Sequence, residues 1–167
     1  DESGVAPVVP DEDRLHGPGA TIVMASFTHL GRPSRFSDGA YGVYYAARSL
    51  ETAVRETAYH RGRFLAATQE PPCEMDMRAY VGRPMKPYTD IRGPKYALLH
   101  HPDDYAPSQA FAGVRREKGD WGLVYRSVRH DGGECIAAFR PPAVSIPMAG
   151  AALAYVWDGE RIKKEYQ

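Results

Sequence analysis

The sequence predicts one α/β domain of the α+β kind, with mixed, largely antiparallel sheets and flanking helices. Three observations lead to it. Short β-prone runs recur along the chain, at GVYYAA (42–47), CEMDMRAYV (73–81), WGLVYRSV (121–128), ECIAAF (134–139) and LAYVW (153–157). Two of the links between them, HDGG at 130–133 and Asp158-Gly159, have turn chemistry that returns a strand beside its predecessor. After Ser49 the apolar residues switch to helical spacing.

Taken in order, residues 1–13 are rich in Pro and acid and are expected to form a flexible segment, leaving 14–167 as the domain. GPG at 17–19 marks a turn. ATIVMASF (20–27) is a continuous apolar run and reads as a buried strand, and GVYYAA as a second strand. Ser49 then caps a helix: its hydroxyl suits the free N–H groups of a first turn, and Glu51 suits the positive end of the helix dipole. Leu50, Ala53, Val54, Thr57 and Ala58 share one face of that helix. It is expected to run to about Ala67, with Gly62 a weak point and the prolines at 71–72 closing it. CEMDMRAYV alternates like a half-buried strand. From there to about Pro102 the chain is dense in Pro and Gly, and periodicity assigns nothing. A short helix is expected over 108–118, stopped by Gly119. The strand at 121–128, the HDGG turn, the return strand and a terminal hairpin complete the order.

A chain of 167 residues fits one domain with a core of its own. Acidic and basic residues balance at 21 each, so no net charge draws it to nucleic acid or a membrane surface. No apolar run approaches a membrane span, and no charged-then-apolar leader marks it for export. Cys73 and Cys135 stand far apart without metal-type spacing and read as two buried reduced thiols, which suits a cytoplasmic location. His100 and His101 read as loop residues. A zinc site needs three or four ligands, and no metal is expected.

The chemistry-bearing residues gather around the capped helix. Glu56 lies seven positions past the cap, beside the apolar stripe and on the flank of Thr52 and His60. Tyr44 and Tyr45 face opposite sides of their strand, so one can pack while the other lines a cleft. Arg35 is suited to grip phosphate. Ser127 has no G-x-S-x-G elbow around it and does not read as a hydrolase nucleophile. Each of these also has an ordinary explanation, as a solvated helix carboxylate, a space-filling tyrosine, a surface arginine or a buried strand serine.

Their order along the chain changes the weighting. RLH at 14–16, RFS at 35–37, VYYAA at 43–47, ETAYH at 56–60, YRSVR at 125–129 and AFRPP at 138–142 follow one another over nearly the whole sequence. This series resembles the RES-domain toxins of bacterial RES–Xre toxin–antitoxin pairs, a family named for an arginine, a glutamate and a serine. The resemblance implies an ADP-ribosyltransferase-like fold and an enzyme that consumes NAD as substrate. It implies catalytic roles for Arg35, Glu56 and Ser127, and NAD contacts from Arg14, Arg35, Tyr45, Glu56 and Ser127. Ser34-Arg35-Phe36-Ser37 stands where the family often has Gly-Arg-Trp-Asn, and Arg32 is close enough to compete for the arginine role. The acceptor of the ADP-ribose is left open between water, phosphate and a protein side chain. The implied partner is an Xre-type antitoxin that covers the active site and itself binds operator DNA, so no direct contact with nucleic acid or membrane is expected. Two other readings remain: the toxic tip of a secreted NAD-degrading effector, and a non-catalytic nucleotide-binding module.

Overall fold

The computed structural model describes residues 9–166, and two sheets and three α-helices make up its body. The first sheet has the order β1-β5-β4-β3, formed by β1 (Tyr44–Ala47), β3 (Thr89–Asp90), β4 (Gly122–Arg126) and β5 (Glu134–Ala138). Only the two-residue β3–β4 pairing is parallel. The second sheet is antiparallel throughout, in the order β2-β6-β7, from β2 (Cys73–Val81), β6 (Met148–Trp157) and β7 (Ile162–Tyr166). This is the mixed, largely antiparallel arrangement expected from the sequence.

Alternation along β5 divides the first sheet's two faces. Cys135 and Ala137 join one core with Phe36, Leu123, Tyr125 and Leu99; Ile136 and Ala138 join another with Val23, Met24 and Phe27. Tyr44 packs on the second of these cores and Tyr45 on the first, as the two-residue period requires. The helix α2 (Leu50–Ala67) lays Val54 and Ala58 on the second sheet, against Leu153, Tyr155, Met75 and Met77. Its cap is the expected one, Ser49 Oγ accepting from Thr52 N at 3.2 Å. One flank of α2 is thereby turned toward the first sheet.

Several expectations are corrected. Residues 20–27 form no strand but the helix α1 (Ala20–Thr28). Its buried residues are Ala20, Val23, Met24 and Phe27, a helical spacing that a nearly continuous apolar run conceals. Gly19, at φ 84°, starts it. Gly42 lets it come close: a Cβ there would lie 2.0 Å from Ser26 O and 2.7 Å from Phe27 Cα. The strand expected to reach residue 128 ends at Arg126, so Ser127 opens the turn rather than sitting inside a strand. Cys73 is exposed, at the edge of the second sheet, whereas Cys135 is buried as expected. His100 is no loop residue. It ends the 3-10 segment Pro94–His100 and is buried, its Nδ1 3.0 Å from Tyr96 O and its Nε2 accepting from Arg126 N at 3.1 Å.

Of the expected N-terminal segment, residues 1–8 lie outside the described residues. The remainder is packed: Val9 is buried, Asp11–Asp13 make a 3-10 turn, and the buried Asp13 receives two bonds from Arg140, at 2.8 and 3.0 Å. The helix α3 (Ala106–Glu117) is followed by Gly119, at φ 89°, which stops it as its sequence suggests. In the final hairpin Asp158 Oδ1 accepts from Glu160 N and Arg161 N, both at 2.8 Å, with Gly159 at φ 101°.

Candidate active site

Glu56 projects from the flank of α2 that faces the β4–β5 turn. Its Oε1 accepts a 2.6 Å bond from Ser127 Oγ, joining residues 71 positions apart. Ser127 Oγ in turn accepts from the backbone N–H groups of Arg129, at 3.2 Å, and His130, at 3.0 Å. A hydroxyl has one hydrogen and two lone pairs, so all of the serine's bonding capacity is engaged and its hydrogen is committed to the carboxylate. The other oxygen, Oε2, stands 3.9 Å from His60 Nε2, one turn along the helix. Burial pushes the His60 imidazole below its ordinary value; Glu56 opposes this, and the guanidinium groups of Arg129, Arg35 and Arg63 add to it.

Arg35 is only 8% exposed. Its Nη1 donates to His101 O at 2.8 Å and to Leu99 O at 3.4 Å, and the guanidinium lies over the Tyr105 ring, 4.4 Å from the centroid. The first turns of α3 hold the segment that carries it: Ser108 Oγ donates to Arg35 O at 2.5 Å and Gln109 Nε2 to Ser34 O at 2.9 Å. Among the described residues no carboxylate is in ion-pair contact with Arg35. A buried cation satisfied by carbonyls and a ring, but not neutralised, favours an anionic ligand.

Tyr45 stands on the sheet side of the same space. Its hydroxyl is 2.6 Å from Ser34 Oγ and accepts from Phe36 N at 3.0 Å. Burial pushes the phenol up to about 12, so it is neutral at physiological pH. Cys135 lies on the floor, and burial pushes its thiol up to about 12 as well. It is a neutral thiol rather than a nucleophile.

Arg35, Tyr45, Glu56, His60, Tyr105 and Cys135 line one cavity of about 360 Å³. A groove of about 750 Å³ adjoins it and shares Tyr45, Ala46, Ala47, Ala53, Thr57 and Cys135 as a common wall. Both volumes fall within the ~300–1,000 Å³ usual for small-molecule sites. The fold therefore brings together four of the five residues singled out from the sequence: Arg35, Tyr45 and Glu56 on the cavity wall, with Ser127 behind Glu56. Arg14 is not with them. It is exposed at the end of the first 3-10 turn and lines neither space. Arg32 is exposed too and does not reach the cavity that Arg35 lines.

The sequence matches the RES domain family over residues 12–158. The chain belongs to the RES-domain family. RES domains are toxins of RES–Xre toxin–antitoxin systems, so membership implies a toxin with an NAD-related activity and an antitoxin partner. No curated protein matches the RES chain at the significance required. No helix among the described residues of this RES domain is long and apolar enough to cross a membrane.

Two groups of this RES site go unread in the sequence. Tyr105 lies just beyond the Pro- and Gly-dense stretch, where no periodicity signals a role. Arg129 is visible in YRSVR but has no assigned part. Its guanidinium sits 3.4 Å from the centroid of Tyr59, donates to Pro102 O at 2.5 Å and Tyr105 Oη at 3.1 Å, and leaves its buried Nε without a hydrogen-bond partner among the described residues. Tyr105 thus lies between two guanidinium groups, stacked under Arg35 and bonded to Arg129.

Proposed function

We propose that this chain is a toxin that consumes NAD by cleaving the nicotinamide–ribose bond. One observation carries the reading: a carboxylate, Glu56, is held at 2.6 Å by Ser127 on the wall of a cavity that also holds the buried, un-neutralised guanidinium of Arg35.

Breaking that bond sends its electron pair to nicotinamide and leaves positive charge on the ribose, an oxocarbenium-like state of the kind met in glycoside hydrolysis. Glu56 supplies a fixed negative charge for that moment, with no reorganisation because Ser127 already orients it. Arg35 offers its charge to the pyrophosphate. Tyr45, neutral and anchored by its hydroxyl, presents an aromatic wall for the nicotinamide ring and excludes water. The acceptor that completes the bond at the ribose carbon is water, phosphate or a protein side chain, giving a glycohydrolase, a phosphorolase or an ADP-ribosyltransferase. In a cell the activity would be held in check by an Xre-type antitoxin closing the cleft. The exposed apolar residues Leu50, Tyr80 and Val81 along the adjoining groove support such a covered face.

The test is chromatography of nicotinamide and ADP-ribose products from purified, antitoxin-free protein with NAD, with and without phosphate, and with labelled NAD in lysate. Nicotinamide release is expected, lowered ~10²–10³-fold by Glu56→Gln, the usual cost of one such electrostatic contact. Full activity in Glu56→Gln would overturn the assignment. Tight NAD binding without turnover in any of the three conditions would make the chain a binding module instead.

A further inference from the structure

The Glu56–Ser127 pair is one of two side-chain hydrogen bonds between α2 and the β4–β5 turn among the described residues. The second lies one helical turn earlier. Thr52 is 2% exposed, and its Oγ1 is 2.8 Å from His130 Nδ1. Ser49 Oγ donates to the same Thr52 Oγ1 at 3.0 Å while accepting from Thr52 N. With one lone pair taken by Ser49, the Thr52 hydroxyl keeps its hydrogen and its second lone pair for the contact with His130 Nδ1. The His130 backbone N–H then donates to Ser127 Oγ at 3.0 Å, and Ser127 donates to Glu56. The turn is closed beneath this chain by Ser127 N to Gly133 O at 2.8 Å and Gly133 N to His130 O at 2.9 Å. It also sits hard against the helix: a Cβ on Gly133 would lie 2.6 Å from Thr52 Oγ1 and 2.8 Å from Thr52 Cγ2.

We propose that Thr52 and His130 are positioning residues for Glu56: the helix N-cap, through Thr52 and the His130 ring, sets the turn that presents Ser127 to the carboxylate. Neither touches the substrate space. Neither Thr52 nor His130 lines the Glu56 cavity, so their effect on chemistry passes through Ser127. The proposal rests on the reading of Glu56 as the carboxylate that serves the ribose, and it adds which residues fix its place. Because the tie acts on geometry rather than on ligand contacts, its loss appears in kcat and leaves KM nearly unchanged.

The experiment compares Thr52→Val, which keeps the shape and removes the hydroxyl, with Thr52→Ser, His130→Ala and the Thr52→Val/His130→Ala double variant. Each is measured for NAD turnover and for hydrogen exchange at the Arg129 and His130 amides, after a thermal melt confirms folding. Expected is a loss of about 10–100-fold in kcat for Thr52→Val, on the scale of a small misplacement of a catalytic group, with KM within about threefold. Thr52→Ser restores activity, both amides exchange faster in Thr52→Val, and the double variant is no worse than either single one, because both remove one tie. If Thr52→Val does not fold, His130→Ala carries the same test from the turn side. Parental kcat, Thr52→Ser as impaired as Thr52→Val, or unchanged amide exchange would each overturn the proposal. If the parent itself released no nicotinamide, the NAD reading would fall, and amide exchange would still decide whether Thr52 holds the turn.

Discussion

Replacing Ser127 by Ala removes three hydrogen bonds at once, and they separate into two measurable quantities. The 2.6 Å bond to Glu56 is charge-assisted, a class worth about 1.5–3 kcal/mol. If that orientation is fully used in the transition state, kcat falls by about 10–140-fold, at tenfold per ~1.4 kcal/mol. The two bonds accepted from Arg129 N and His130 N, at 3.2 and 3.0 Å, are neutral and belong to the turn. At about 1 kcal/mol each they cost stability of about 2 kcal/mol, which lowers Tm by about 4–8 °C for a domain of this size. Nicotinamide release at saturating and limiting NAD, with a calorimetric melt of the same preparation, reads both. A kcat within twofold of the parent beside the full drop in Tm would refute the reasoning, because Ser127 would then serve the turn and Glu56 would not need it.

Gly42→Ala is expected to abolish folding or to displace α1. The added Cβ falls 2.0 Å from Ser26 O, against backbone that cannot rotate away, and the soluble yield and far-ultraviolet circular dichroism of the variant check this. His100 is expected to titrate below its ordinary 6.5, chiefly through burial; the Tyr96 carbonyl opposes the shift and Arg126 and Arg35 assist it. The sign follows from linkage: the unfolded chain takes up the proton first as pH falls. The stability that neutral His100 contributes is thus present above 6.5 and is lost as pH drops through the folded value. Protonation at Nε2 also ends its bond from Arg126 N, so an NMR titration would show the His100 ring and the Arg126 amide moving together. A midpoint at or above 6.5 would contradict it.

Local features that depend on near neighbours were legible before any fold was known. The Ser49 cap and the apolar stripe behind it define α2, and Asp158-Gly159 defines the last hairpin, because caps and turns close bonds across only a few residues. The flank shared by Thr52, Glu56 and His60 also follows from the helical period alone, and the order of short motifs points to Arg14, Arg35, Tyr45, Glu56 and Ser127. Where burial decides, spacing is ambiguous. The run at 20–27 is apolar on nearly every side, and it becomes a helix because Gly42 lets it lie against the backbone and Val23, Met24 and Phe27 reach one core. Cys73, exposed, and His100, buried, depart from expectation for the same reason, since exposure belongs to the assembled sheets and not to the residue type.

The site's bonds are the least local of all. Arg35 meets His101 across 66 positions, Glu56 meets Ser127 across 71, and Thr52 meets His130 across 78. Closing loops of that length costs chain entropy that no local pattern offsets, so these contacts exist only once the sheets have packed and α2 lies against the β4–β5 turn. Sequence alone therefore named the candidate groups and the helix that carries Glu56. Tertiary packing brought Arg35, Tyr45 and Glu56 to one cavity with Ser127 behind Glu56, left Arg14 outside it, and added Tyr105, Arg129 and the Thr52–His130 tie.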